Sequence, residues 1–151
     1  MPERVVDVYT DVSIGPRCIG VGVVMDGLHD SRFTHTVCLG PGLSPAEAET
    51  AAVLYAMRLL KALAADARVG EAHFFTDCET TVRALFDLGK LRSQVTKNFV
   101  KAVLRDMNNM KQNDGITACL RLISSRNNPA HPVSRKARRE WNDLLSCKHE
   151  D

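Results

Sequence analysis

Three acidic residues carry the strongest chemical signal in this sequence. Two of them, Asp11 and Asp77, each follow a threonine at the end of a short apolar segment. An acidic residue just beyond a buried strand lies at the rim of a sheet, where the ligand sites of open α/β sheets collect. The third, Glu49, lies in the second turn of a predicted helix. If the three carboxylates converge, they repel one another unless cations lie between them.

The chemistry that such a cluster supports is metal-dependent hydrolysis. Carboxylate oxygens are hard ligands that suit Mg²⁺ or Mn²⁺, and ions held in this way activate water for phosphodiester cleavage. Each acid taken alone is explained equally well as a surface residue at the end of an element. The threonine–aspartate ending shared by two strands favours a common site. We therefore predict that Asp11, Glu49 and Asp77 bind divalent metal ions.

Charge is unevenly distributed along the chain. Residues 1–89 hold seven Lys or Arg against twelve Asp or Glu, whereas residues 90–139 hold twelve against two. A basic half beside an acidic half suggests a polyanionic partner, with cations bound in the acidic half. Solvated helix faces would give the same counts. The nucleic-acid interpretation therefore needs support from the motifs.

The composition is that of an ordinary globular protein. With 44% apolar and 25% charged residues, the chain is neither disordered, collagen-like nor a coiled coil. The 151 residues fit one domain, which we place at 1–151. No secretory signal is visible and no apolar run approaches the ~18 residues that span a bilayer. We therefore expect a cytoplasmic protein without membrane contact.

Apolar periodicity and turn signals predict the elements that position the three acids. In chain order these are strands 4–10, 18–25 and 33–39, a helix 45–67, a strand 71–76, helices 80–88 and 92–111, a strand 116–123, a loop 124–132 and a last helix. Ser44 and Pro45 mark the start of the first helix as an N-cap and a first-turn proline. The residues expected to face inward on the last helix are Val133, Ala137, Trp141, Leu144 and Leu145. This order predicts an α/β domain with a mixed sheet.

Together, these segments resemble type 1 ribonuclease H over most of the chain. The matching segments are Tyr-Thr-Asp-Val-Ser (9–13), Gly-Val-Gly-Val-Val (20–24), Ala-Glu-Thr-Ala-Ala (48–52), Phe-Thr-Asp-Cys-Glu (75–79) and Arg-Asn-Asn-Pro-Ala-His-Pro-Val-Ser-Arg-Lys-Ala (126–137). The resemblance implies a ribonuclease H-like, five-stranded mixed sheet in the order 3-2-1-4-5, with helices on both faces. It also implies a divalent-metal-dependent endonuclease that hydrolyses the RNA strand of RNA/DNA hybrids with two Mg²⁺ or Mn²⁺ ions per site.

The resemblance also assigns roles to the acids. Asp11 would bridge both ions, while Glu49 and Asp77 would hold the ion that stabilises the leaving 3′ oxygen. Glu47 competes for the position of Glu49. A capping box between Ser44 and Glu47 already explains that residue, and Glu49 fits the following Ala-Ala pattern better.

The last segment departs from the family pattern. Where the family has Asn-x-x-Ala-Asp, Ala130 is followed here by His131, so that the fourth catalytic carboxylate is replaced by an imidazole. In the family that position helps to hold the ion that activates the attacking water. Neutral imidazole still binds divalent ions, and suits Mn²⁺ better than Mg²⁺. We predict His131 as a catalytic metal ligand; a surface histidine without a metal role, or Asn142 or Asp143 as the ligand, are the alternatives.

Several residues are expected to contact nucleic acid, mostly through phosphates, which supply affinity rather than sequence choice. They are Ser13, Cys78, Lys90, Arg92, Lys97, Lys101, Arg105, Arg126 and Arg135. Val12, Pro45 and Glu79 depart from the family at positions that bear on substrate choice, which loosens the expected specificity for hybrids. Two alternatives stay open: a catalytically weak or inactive nucleic-acid-binding module that lost turnover through His131, and a domain that serves only in assembly.

Overall fold

Five strands form one mixed sheet in the computed structural model, which describes residues 3–147. The strands are β1 (Arg4–Ile14), β2 (Ile19–Asp26), β3 (Phe33–Leu39), β4 (Val69–Thr76) and β5 (Thr117–Leu122). Their order across the sheet is β3-β2-β1-β4-β5, which confirms the predicted topology. The pairs β1–β2 and β2–β3 are antiparallel, whereas β4 runs parallel to β1 and β5 runs parallel to β4.

Four α-helices connect or follow the strands in the described residues. They are α1 (Pro45–Leu63), α2 (Glu79–Ala84), α3 (Gln94–Asp114) and α4 (Ala130–Cys147). The predicted start of α1 is confirmed: the Ser44 hydroxyl accepts from the Glu47 N–H, and the Glu47 carboxylate accepts from the Ser44 N–H. Within residues 3–147, none of these helices combines the length and the apolar character that crossing a bilayer requires.

The main hydrophobic core lies between one face of the sheet and helices α1 and α3. Strands contribute alternate residues to it, such as Val6 and Val8 of β1, because successive side chains of a strand point to opposite faces. The helices contribute Val53, Met57 and Leu60 from α1 and Val103 and Met110 from α3. Burying each large apolar side chain stabilises the fold by about 1.5–3 kcal/mol. This core holds β1, β4 and α1 in fixed relative positions.

The opposite face of β2 is lined by glycines, and α4 lies directly against them. A Cβ atom at Gly22 would come within 2.6 Å of the Ser134 backbone nitrogen and 2.8 Å of the Ala130 carbonyl oxygen. A Cβ atom at Gly20 would likewise meet the Arg138 backbone. Since Val21 and Val23 point to the core, the alternation of Gly and Val lets β2 carry bulk on one face and a helix backbone on the other.

Two of the wrongly predicted boundaries bear on the acidic residues. β1 does not end at Thr10 but continues to Ile14, because its antiparallel pairing with β2 extends to the pair Ile14 and Ile19. Helix α4 begins at Ala130, inside the segment predicted as a loop, because the Asn128 side chain accepts from the Ala130 N–H at 3.0 Å.

The inward face predicted for α4 is also partly wrong. Its buried residues are Ala130, Ser134, Ala137 and Asn142, of which only Ala137 was expected. Trp141 is exposed, and so is Leu144. Because α4 packs closely against glycine backbone, its contact face needs small side chains rather than the large apolar ones that the sequence periodicity selects.

Candidate active site

Parallel pairing of β1 and β4 brings Asp11 and Asp77 together. Tyr9 and Phe75 are register partners, and their rings stack with centroids 4.9 Å apart. Asp11 lies two residues after Tyr9, and Asp77 lies two residues after Phe75. Their side chains therefore point to the same side of the sheet at neighbouring positions. Past Tyr9, β1 remains paired only with β2, with Asp11 opposite Gly22. The two carboxylates therefore lie where β1 and β4 separate.

Glu49 of α1 completes the cluster. One ligand oxygen from each of Asp11, Glu49 and Asp77 lies within 4.8 Å of the others, as the sequence predicted. Glu49 is 8% exposed, and its Oε2 is buried without a hydrogen-bond partner. Burial and the nearby charges of Asp11 and Asp77 raise the pKa of Glu49 to about 9. A hydrogen bond from the Val12 backbone N–H acts in the opposite direction and lowers this pKa. In the absence of a cation, Glu49 therefore keeps a proton at neutral pH.

These residues fit a divalent cation. An unpaired carboxylate oxygen in a buried site is costly unless a proton or a positive charge compensates it. The cluster supplies only oxygen ligands from carboxylates, the ligands that Mg²⁺ prefers and Mn²⁺ accepts. Glu49, one of the three acids of this cluster, has such an oxygen, since its Oε2 is buried without a hydrogen-bond partner.

Asp11 is held by two side chains of α4. The Ser134 hydroxyl donates to Asp11 Oδ2 at 2.6 Å, and His131 Nδ1 lies 3.0 Å from the same oxygen. Burial raises the pKa of Asp11, Asp77 raises it further, and the hydrogen bonds from Ser134 and His131 oppose the rise. Asp11 is 3% exposed, so its orientation is fixed by these partners rather than by solvent.

His131 lies beside the acidic cluster, in the first turn of α4. With Asp11 ionised, the carboxylate can only accept, so His131 Nδ1 carries the proton in this contact. In a neutral ring Nε2 is then free of a proton and can accept. Many metal-binding histidines are held in this way, with one ring N–H donating to a carboxylate and the other nitrogen binding the metal. The group of ligand atoms within 4.8 Å, among the described residues, consists of the three acids and does not include His131.

Three residues that support the site were not identified from the sequence. Ser134 is fully buried against Asp11, and the Ser125 hydroxyl donates to Asp77 Oδ2 at 3.0 Å. Asn128 links α4 to β1, because its side-chain amide donates to the Thr10 carbonyl oxygen at 2.9 Å. Asn128 alone had a usable signal, since an asparagine two residues before a helix is a frequent cap-forming residue.

Two of the three alternative ligands form hydrogen bonds elsewhere, and the third is exposed. The two carboxylate oxygens of Glu47 accept from the Ser44 N–H at 2.9 Å and from the Ser93 hydroxyl at 2.6 Å, where α1 and α3 begin. The Asn142 side chain accepts from the Arg17 backbone N–H at 2.8 Å and donates to the Arg138 carbonyl at 2.7 Å. Asp143 is exposed on α4, outside the acidic cluster.

The residues predicted to contact nucleic acid lie on several elements. Lys97, Lys101 and Arg105 lie at four-residue intervals on α3, with Lys97 half-buried and the other two exposed. The remaining exposed members are Lys90, Arg92, Arg126 and Arg135. Ser13 on β1 and Cys78 before α2 are half-buried. Cys78 donates its backbone N–H to Thr76 Oγ1 at 3.2 Å, so it is part of the turn that carries Asp77.

Comparison with known proteins gives a structural likeness without a sequence match. No protein-family model matches the chain, and no curated protein sequence matches it. Among solved structures, RNase H1 from the halophilic archaeon Halobacterium salinarum has a TM-score of 0.73 at 11% identity, covering 90% of this chain and 98% of that one. LC11-RNase H1 from a compost metagenome, in complex with an RNA/DNA hybrid, has a TM-score of 0.71 at 17% identity, covering 89% and 97%.

A third similar structure comes from a bacterium. It is the N-terminal RNase H domain of a Mycobacterium tuberculosis protein, with a TM-score of 0.67 at 12% identity, covering 95% of this chain and 99% of that domain. In all three comparisons nearly the whole length of the other chain is covered. The strand order, the helices on both faces and these likenesses agree: the chain has the fold of type 1 ribonuclease H.

Proposed function

We propose that this chain is a divalent-metal-dependent endonuclease that hydrolyses the RNA strand of RNA/DNA hybrids by a two-metal mechanism. The observation that carries the proposal is the convergence of Asp11, Glu49 and Asp77, which bring one ligand oxygen each to within 4.8 Å of the others. One oxygen of Glu49 is also buried and unpartnered. The fold supports a nuclease function for this cluster, since similar structures are RNase H1 enzymes and one of them is bound to an RNA/DNA hybrid.

Asp11, Glu49 and Asp77 would hold the ions, with His131 Nε2 as a fourth ligand. Ions of this class, when bound, activate water and neutralise the charge of the scissile phosphate and the leaving oxygen. The chain itself contributes a water-poor site in which electrostatic interactions are strong, because Asp11 and Glu49 are buried. Ser134 and His131 orient Asp11, and Ser125 orients Asp77.

The basic residues supply the affinity for the substrate in this proposal. Lys97, Lys101 and Arg105 on α3 would contact phosphates of either strand, and so would Arg126 in the turn before α4 and Arg135 on α4. Contacts of this kind weaken steeply with salt and carry no sequence information. We therefore expect binding of the hybrid without sequence preference and with a strong dependence on salt concentration.

The test is cleavage of a fluorescently labelled RNA/DNA hybrid in Mg²⁺ and in Mn²⁺, with Glu49→Gln and Glu47→Gln as a matched pair. The two residues are two positions apart on α1, but only Glu49 lies in the acidic cluster. We expect Glu49→Gln to lower the rate by at least about 100-fold, since even outer-shell changes at metal sites cost 10–100-fold. Glu47→Gln should retain activity, because glutamine also serves in a capping box.

Two further variants separate the proposal from its alternative. Asp11→Asn should abolish cleavage, whereas His131→Asp should raise Mg²⁺-dependent activity by supplying a carboxylate where the imidazole stands. Unchanged activity in Asp11→Asn would rule out this site. Binding of the hybrid by the wild-type chain without cleavage in either metal would favour the alternative, a nucleic-acid-binding module without turnover.

A further inference from the structure

Ser134 is one of the fully buried polar residues beside the acidic cluster, and its side chain contacts Asp11 directly. It is 0% exposed, and its hydroxyl lies 2.6 Å from Asp11 Oδ2. Buried hydroxyls are normally paired, and a hydrogen bond to an ionised carboxylate is shorter and stronger than one between neutral groups. This contact is therefore a strong constraint on the orientation of Asp11.

The Ser134 hydroxyl has one proton and two acceptors within reach. The second acceptor is the carbonyl oxygen of His131, one turn earlier in α4, at 2.9 Å. The nearer and charged acceptor takes the proton. Ser134 therefore holds Asp11 through Oδ2.

The position of Ser134 follows from the packing of α4 on β2. Asp11 is the register partner of Gly22, and the Ser134 backbone nitrogen lies 2.6 Å from where a Gly22 Cβ would be. Because glycine leaves that space empty, α4 approaches closely enough for a side chain as short as serine to reach Asp11. Ser134 and His131 then meet the same oxygen from one helix.

We propose that Ser134 is a positioning residue for the metal site, which holds Asp11 in the orientation that directs its carboxylate toward Glu49 and Asp77. This inference rests on the proposed function, since it takes Asp11 to be a metal ligand. It assigns to Ser134 a part in metal affinity rather than in folding. The hydroxyl acts through Asp11 and touches neither metal nor substrate.

The experiment is a titration of the free protein with Mn²⁺, followed by the electron paramagnetic resonance signal of unbound Mn²⁺, without nucleic acid. We expect Ser134→Ala to raise the Mn²⁺ dissociation constant by about 10-fold or more, as loss of an outer-shell partner does at other metal sites. Ser146→Ala is the control, since Ser146 lies on the same helix near its far end. It should bind Mn²⁺ like the wild type.

A second variant covers the case in which the alanine variant does not fold in EDTA. Ser134→Cys keeps a side chain of similar shape with a weaker donor, and we expect its Mn²⁺ affinity to lie between those of serine and alanine. If folded Ser134→Ala binds Mn²⁺ with wild-type affinity, the inference about Ser134 is wrong while the proposed function stands. If the alanine variant does not fold, wild-type affinity in folded Ser134→Cys would have the same consequence. If Asp11→Asn binds Mn²⁺ as the wild type does, the proposed function fails with it.

Discussion

The two faces of the sheet are covered by helices in opposite ways. On one face, α1 and α3 pack large apolar side chains against Val6, Val8 and Phe74, which are fully buried. On the other, α4 lays its backbone against Gly20 and Gly22 and brings polar side chains to Asp11. The first face supplies stability through buried area, and the second supplies precise placement of donors.

This difference explains why the acidic cluster lies where it does. Asp11 and Asp77 are carried by strands fixed by the apolar core, and Glu49 by the helix that packs on it. The groups that orient the aspartates come instead from α4 and from the turn before it. We therefore expect changes on the two faces to separate loss of stability from loss of metal binding.

The largest effect on stability should come from the apolar face. Phe74→Ala removes a fully buried ring, and we expect the free energy of unfolding to fall by about 3–5 kcal/mol. Phe86→Ala is the matched control, because Phe86 is 87% exposed. Urea denaturation of both variants measures the difference. Equal losses for the two phenylalanines would contradict the core described for β4.

Next in size is the pH dependence that arises from Glu49. Its pKa is about 9 in the folded chain against an ordinary value of 4.5, so the folded chain binds a proton that the unfolded chain releases between these values. With respect to this group, the free energy of unfolding in EDTA should therefore be highest below pH 4.5, fall as the pH rises from 4.5 to about 9, and level off above that. The change should be on the order of a few kcal/mol.

The control for this pH dependence is Glu49→Gln, which cannot titrate. Its free energy of unfolding should depend on pH less steeply than that of the wild type over the same interval, with Asp11 left to contribute in the same direction. Urea denaturation at several pH values in EDTA measures both curves. Parallel curves for the two proteins would show that Glu49 is not the group responsible.

A change on the glycine-lined face should lower stability less than Phe74→Ala does, but it should weaken metal binding more. In Gly22→Ala the new Cβ would lie 2.6 Å from the Ser134 nitrogen and 2.9 Å from the Val133 Cβ, so α4 must move away. We expect overpacking to cost about 1–3 kcal/mol of unfolding free energy and Mn²⁺ binding to weaken as well.

Gly40→Ala is the matched control for Gly22→Ala, since nothing lies within 4 Å of a Cβ atom at that position. It should change neither urea stability nor Mn²⁺ affinity appreciably. If Gly22→Ala loses stability but keeps wild-type Mn²⁺ affinity, α4 does not position the site in the way that its packing on β2 indicates.

The apolar face and the three acidic residues could be predicted from the sequence because their signals are local. The repeated Thr-Asp pair identified Asp11 and Asp77, although β1 continues past Asp11 to Ile14. The capping box around Ser44 fixed the phase of α1 and hence the position of Glu49. Each of these signals depends on a few neighbouring residues. The structure needed only to bring the elements together in the order that the strand pattern predicted.

The contacts of α4 could not be predicted in the same way. Apolar periodicity selected a face containing Trp141, whereas close packing on Gly20 and Gly22 selects the face with Ser134 and Asn142. Which of the two faces points inward depends on residues more than a hundred positions away in the chain. The role of Ser134 is therefore visible only when β2 and α4 are seen together.

The smallest expected effect comes from the second hydroxyl that contacts the acidic cluster. Ser125 donates to Asp77 Oδ2 at 3.0 Å, but it is exposed and belongs to the turn after β5, where water can replace its hydrogen bond. We expect Ser125→Ala to cost less than about 1 kcal/mol of unfolding free energy and to weaken Mn²⁺ binding less than Ser134→Ala does. The same Mn²⁺ titration ranks the two serines. If Ser125→Ala proved the more damaging, placement of the ion would depend on the exposed turn rather than on the helix packed against glycine.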